Sequence, residues 1–246
     1  MYAREPTLGS SGKFRTTMAT MPQNILIADD HPLFREALKL SVTQAIGEAT
    51  ILEADSVMSL FAVLEDRPDV ELLLLDLTMP GAQGFSALIQ ARAHHPTVPV
   101  VVVSGREDPT VVARSMAHGA AAFIPKSAPT ATIAEALRTV IQGGTWTPTT
   151  RPGNALLDSS IRLEHAENEA ATRIAKLTPQ QFRVLSMLCA GLLNKQIAAE
   201  LGVSEATVKA HMTAVMDKLG AANRTHAVLL AQRLSLDHGM PAPALE

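Results

Sequence analysis

The run ELLLLDLTMPG at residues 71–81 is apolar up to an aspartate and then breaks into a turn. Unbroken leucines suit a strand covered on both faces, as in a parallel sheet; a strand with one wet face would alternate apolar and polar residues. Asp76 closes that run, and Pro80-Gly81 ends it. Working outward, similar short runs occupy Ile25–Ala28, Ile51–Glu53, Val98–Val103 and Ala120–Ile124. Helix-period segments lie between them. Phe34, Ala37, Leu38, Ser41, Val42 and Ala45 share one face, as do Ile133, Ala136, Leu137, Val140 and Ile141. Asp108-Pro109 reads as an N-cap with first-turn proline, and Gly119 as the stop after that helix. These repeats predict an α/β fold, a doubly wound five-stranded parallel sheet.

The stretch GGTWTPTTRPG at residues 143–153 ends this pattern and marks a domain boundary. The division expected is a disordered extension over 1–22, a first domain over 23–144, a linker with a helix over 145–173, a second domain over 174–238 and a tail over 239–246. Trp146 is expected to pack on the last helix of the first domain. The second domain reads as all-α, with helices at 178–190, 194–201, 204–219 and 223–235. Thr178 and Gln181 form a capping box around Pro179, with Leu177 and Phe182 at the staple positions. Gly202-Val203-Ser204 is a three-residue turn of helix-turn-helix length.

At 246 residues the chain has room for these two domains. The formal net charge of -3 argues against a nucleic-acid binder only until it is divided. Residues 24–145 hold 8 Lys+Arg against 14 Asp+Glu, whereas residues 174–246 hold 7 against 5. An acidic front and a basic back suggest different partners. The single cysteine, Cys189, excludes an intrachain disulfide and reads as a core thiol. No apolar run reaches the ~20 residues of a membrane span, and the start carries no signal-peptide core, so a cytoplasmic protein without a membrane partner is expected. Met18 and Met21 are alternative starts.

In an open parallel sheet, ligands bind beyond the carboxyl ends of the strands. Asp29, Asp30, Asp76, Ser104 and Lys126 all fall there. Three converging carboxylates repel one another unless a cation compensates. A hard, oxygen-seeking ion that keeps waters fits, which is Mg²⁺. Beside it a carboxylate nucleophile could accept a phosphoryl group. Separately, Asp29-Asp30 suit a helix N-terminus, Lys126 a solvated loop and Ser104 a turn; together, at successive strand ends, they read as one site. His31 reads as a loop residue, and His94-His95 as surface groups.

On the helix expected at 204–219, Val208, Met212, Val215 and Leu219 share an inward face. Lys209, Ala210 and Thr213 face outward, a pattern suited to reading base edges in a major groove. Lys195 and Arg224, at the starts of the flanking helices, would sit on phosphates.

The segments ILIADDHPLFREAL, LLLLDLTMPGAQG, VVVSG and AAFIPKS resemble the fingerprints of a flavodoxin-like response-regulator receiver domain, across about 24–142. The resemblance implies Asp76 as phosphoacceptor for a sensor histidine kinase. It implies Asp29, Asp30, Asp76 and the Thr78 carbonyl around Mg²⁺. Lys126 and Ser104 would bind the phosphoryl group, with Phe123 as an aromatic switch. The run GLLNKQIAAELGVSEATVKAH resembles the LuxR-type DNA-binding domain, across about 176–235. Glutamate is usual in that family where Gln181 stands, so any salt bridge there is lost. Receiver first and LuxR-type domain last is the layout of NarL/FixJ-type regulators. It implies a homodimer on a double-stranded DNA operator, with release of the second domain from the first, or dimerisation, exposing helix 204–219. A phosphorylation-independent DNA binder is the alternative. An aspartate-dependent phosphatase would want a second aspartate where Thr78 stands.

Pro125 departs from the receiver pattern. It removes a ladder N–H, which only an edge strand tolerates; in the expected order 2-1-3-4-5 the fifth strand is an edge.

Overall fold

The computed structural model describes residues 24–148 and 167–234. The extension over 1–22, the tail over 239–246 and most of the expected linker lie outside them. Five parallel strands, β1 (Asn24–Ala28), β2 (Thr50–Ala54), β3 (Leu72–Asp76), β4 (Val100–Ser104) and β5 (Ala122–Pro125), form one sheet in the order β2-β1-β3-β4-β5. Between them run α1 (Pro32–Ile46), α2 (Val57–Asp66), α3 (Ser86–His94) and α4 (Pro109–Ala117), and α5 (Thr130–Ile141) follows β5. β4 starts two residues later than the sequence suggests, because Pro99 has no N–H to donate to the ladder and serves only as an acceptor, for Leu73 N–H.

The apolar strands split their side chains between two cores. Ile25, Ile27, Leu72, Leu74, Val101 and Val103 pack under α1 and α5. Leu26, Leu73, Leu75, Val100, Val102 and Phe123 pack under α2, α3 and α4. The period-2 alternation of a strand thus feeds two helical layers, and neither face can be polar. β5 is an edge, as Pro125 requires. Lys126 N–H bonds inward to Ser104 O at 2.8 Å, and Phe123 N–H bonds outward to Trp146 O at 3.0 Å. By that alternation the proline nitrogen faces outward. Trp146 does pack on the α1/α5 core, and it also covers the β5 edge by pairing with Ala122. Asp108 takes the N-cap position of α4, but its side chain makes no cap bond, contrary to the sequence reading.

α6 (residues 167–175) runs from the linker into the second domain, which then comprises α7 (Pro179–Cys189), α8 (Asn194–Leu201), α9 (Glu205–Leu219) and α10 (Arg224–Gln232). Thr178 and Gln181 close the capping box, and Lys218 Nζ donates to Gln181 Oε1 at 2.7 Å, a charge-assisted bond to a neutral amide in place of an ion pair. At the start of α8 only half a box forms: Gln196 Oε1 accepts from Leu193 N–H, and a leucine has no atom to return the bond. Gly202 and Gly220 end α8 and α9 with φ of 65°, the left-handed conformation that glycine adopts without strain. Cys189 is half-buried, and burial pushes its thiol up to about 12, so it is unreactive.

The two domains share the core on the α2–α3–α4 side. Phe61 and Phe182 meet edge to face at 5.3 Å. His94 is exposed, as expected, and also bonds through Nε2 to Leu177 O at 2.6 Å. Glu167 Oε1 receives Arg114 Nε at 2.8 Å and His118 Nε2 at 2.7 Å. Burial alone would raise the Glu167 carboxyl, but His118 and Arg114 outweigh it and hold the group below its usual range. A carboxyl lowered on folding stabilises fully above its unfolded pKa and loses that contribution as pH falls through the lowered value. Glu167→Gln should therefore cost about 1–2 kcal/mol at pH 7. In urea titrations from pH 7 down to 3, that gap should hold to about pH 5 and close below it.

Candidate functional site

The carboxyl ends of β1, β3, β4 and β5 carry the predicted side chains to one place. Asp29, Asp76 and Ser104 are fully buried, and Asp30 is half-buried. Lys126 Nζ lies 2.7 Å from Asp29 Oδ2 and 2.9 Å from Asp76 Oδ2. It also sits 4.9 Å over the Phe34 ring. Burial alone would pull the lysine down, but the Asp29 and Asp76 carboxylates carry it above its usual range.

Asp76 Oδ1 accepts from Thr78 N–H at 3.0 Å and from Thr78 Oγ1 at 2.9 Å. The tight turn after β3 thus orients the carboxylate. Ser104 Oγ accepts from Arg106 N–H at 3.1 Å, which ties it to its own loop. Phe123 is wholly buried, on the α2–α3–α4 side of the sheet.

Sequence reasoning missed His31. Its backbone N–H donates to Asp29 Oδ1 at 2.8 Å, and its Nδ1 is 2.7 Å from Asp30 Oδ1. Its adjacency to Asp30 was the available signal. Ligand atoms of Asp29, Asp30, His31 and Asp76 all lie within 4.8 Å of one another. Two oxygens in this group, Asp29 Oδ2 and Asp30 Oδ1, are buried without a well-aligned hydrogen-bond donor, even with Lys126 close to the first. Carboxylate oxygens short of donors fit a hard divalent cation such as Mg²⁺. A cavity of about 490 Å³ opens beside them, lined by His31, Leu33, Phe34, Thr78, Gly105, Arg106 and Lys126.

On α9, Val208, Met212, Val215 and Leu219 are buried as the pattern requires. Lys209, Ala210 and Thr213 are exposed on the other side, and Lys195 is exposed on α8. Arg224 is half-buried: it donates to Leu192 O at 2.6 Å and so braces α8 against α10. The expectation that release of this domain uncovers helix 204–219 does not hold. The first domain packs on α6 and α7, and the outward residues of α9 are already open.

An acidic pocket at the strand ends joined to a helix-turn-helix defines a two-part regulator, with one domain that takes a signal and one that reads DNA. Residues 25–138 match the family model of the response regulator receiver domain, and residues 175–231 that of bacterial regulatory proteins of the luxR family. The chain is 38% identical over 211 residues to a glycerol metabolism activator of Pseudomonas putida, covering 84% of this chain and 94% of that protein. It is 32% identical over 217 residues to a probable transcriptional regulatory protein NarL of Mycobacterium tuberculosis, covering 86% and 94%. A solved RcsB response regulator of Salmonella typhimurium is similar at 22% identity and a TM-score of 0.48, covering 85% of this chain and 98% of that one. The chain belongs to the response regulators of NarL/FixJ type, a receiver domain followed by a LuxR-type DNA-binding domain.

Removing the ammonium would leave two buried carboxylates facing each other. Without added Mg²⁺, Lys126→Met should cost about 2–3 kcal/mol in urea unfolding at pH 7, and Lys126→Arg clearly less.

Proposed function

We propose that this protein is a transcription regulator whose DNA binding is set by phosphorylation of Asp76 by a partner sensor histidine kinase. The observation that carries it is the Asp76 carboxylate, held by Thr78 on one oxygen and Lys126 on the other beneath an open cavity. A carboxylate oxygen of Asp76 attacks phosphorus. The bond from phosphorus to the donor histidine nitrogen breaks, and the imidazole leaves with a proton. Asp29, Asp30, Asp76 and the Thr78 carbonyl would hold Mg²⁺, which when bound offsets the charge repulsion between phosphoryl oxygens and carboxylates. Lys126 stays by the new phosphoryl oxygens, and Ser104 gives up its Arg106 contact to donate to them. Phe123 repacks in response. Self-catalysed gain and loss of the phosphoryl group is the only chemistry in this reading; the chain is a regulator, not a metabolic enzyme.

The DNA contacts proposed are Lys209, Ala210 and Thr213 on base edges and Lys195 on phosphate; Arg224 is largely committed inside the domain. Few cations per domain favour a homodimer on an inverted repeat of double-stranded operator DNA. The first domain, linker and second domain take the bounds 23–144, 145–173 and 174–238, with α6 running two residues past the linker. No helix among the described residues is long and apolar enough to cross a membrane. A cytoplasmic regulator is the proposal. The open face of α9 favours one second reading, a regulator that binds DNA without phosphorylation and keeps its receiver for protein contacts.

Selection of genomic fragments by beryllofluoride-treated protein, set against Asp76→Asn, separates the two. Phosphorylation control predicts enrichment of one operator by the treated wild type and its loss in Asp76→Asn; equal enrichment supports the second reading. On the operator found, Lys209→Ala should cost about 1–3 kcal/mol and relax preference at one base pair. Lys195→Ala should weaken all sequences alike and flatten the salt dependence.

A further inference from the structure

Four parts of the chain meet at Phe85. This residue precedes α3, at the end of the loop that leaves Asp76, and is fully buried. Its backbone N–H donates to Leu234 O, just beyond α10, at 3.1 Å. The Arg114 guanidinium lies 4.6 Å from its ring centroid and the His118 ring 5.2 Å from it. Both side chains come from α4, the helix that follows Ser104, or from the residue that ends it. Both give their donors to one oxygen of Glu167, on α6.

The rest of the contact runs over α2 and α3. Arg183 of α7 pairs with Glu65 at 2.7 Å, and Gln90 donates through Nε2 to Ile174 O. This junction is imperfect: Gln90 Oε1 and Arg183 Nε are buried without a partner among the described residues.

We propose that Glu167 is a latch that holds the LuxR-type domain closed on the receiver by gripping α4. A shift of α4 draws Arg114 and His118 off the carboxylate together, because they lie one turn apart on the same side. Opening does not uncover α9, whose outward residues are exposed in the closed form. It frees the LuxR-type domain to turn relative to the receiver, so that two copies reach successive half-sites. The trigger of the shift rests on the proposed phosphorylation of Asp76; the latch itself does not.

The test uses the full chain in an Asp76→Asn background, with Glu167→Arg and, as a milder variant, Glu167→Gln. Circular dichroism checks the fold, small-angle X-ray scattering reads the shape, and binding is read on DNA with one and with two half-sites. Glu167→Arg faces Arg114 with a like charge. It should enlarge the scattering radius and tighten binding to the paired site by about tenfold, within the usual range for coupled sites. Single-site binding should not move. Glu167→Gln should give a smaller change in the same direction. Folded variants with wild-type scattering and wild-type paired-site binding overturn the latch. A gain on the single site as large as on the paired site overturns the proposed consequence of opening. If beryllofluoride leaves wild type unchanged while Glu167→Arg opens it, the latch stands and the phosphorylation reading falls.

Discussion

The Lys126 ammonium between the Asp29 and Asp76 carboxylates is the interaction on which the receiver site depends. Two buried carboxylates this close are tolerable only with a compensating charge and hydrogen bonds to their remaining lone pairs. The sheet supplies both. Parallel strands bring residues distant in sequence to one edge, and the ladder bond from Lys126 N–H to Ser104 O fixes where the lysine side chain starts. Thr78 and His31 then direct backbone N–H groups at Asp76 and Asp29. Asp29 Oδ2 and Asp30 Oδ1 have only Lys126 and His31 close by and no well-aligned donor, and these are the oxygens a divalent cation would meet.

That arrangement constrains the rest of the sheet. Strands covered on both faces spend all their side chains on packing, so polar chemistry is confined to their ends. The helices on one face, α1 and α5, contact each other and close their core within the receiver. On the other face the core runs on through Phe61 into Phe182, Leu177 and Ile174. The asymmetry matters because Phe123 and the loop leaving Asp76 both lie toward that second face. Among the described residues, packing therefore continues from the Asp76 loop side of the sheet to α7, and none is seen from α1.

Much of the site was legible because its signals are local. An aspartate ending an apolar run, a proline-glycine break and a capping box each need only a few neighbouring residues. The helix starts at Thr178 and Ser204 follow from caps alone, and both side chains make the cap bond. The junction between domains was not legible. Glu65, Gln90, Arg114, His118 and Glu167 have partners dozens of residues away, and nothing in their own periodicity separates them from solvated surface. His94 shows the difficulty: half of an exposed-looking His-His pair, it finds a carbonyl at the start of the second domain. Arg224 has a partner of the same hidden kind: a cation at a helix start fits a phosphate contact, and here it also donates to Leu192 O, 32 residues away.

The bond of Arg224 to Leu192 O bears on the meaning of the charge balance. The reading surface of one LuxR-type domain offers Lys195 on α8 and Lys209 on α9 as exposed cations, with uncharged Ala210 and Thr213 also on α9. Affinity at physiological salt grows with the number of phosphates neutralised, so one such surface with few cations is a weak binder. Covering it would therefore gain little control, since a weak surface needs no mask. Joining two of them multiplies the contacts and adds the effective concentration of a tethered pair. Control acts most strongly where it decides whether both surfaces can engage at once. A receiver that grips α6 and α7 while leaving α9 open sits where that decision is made.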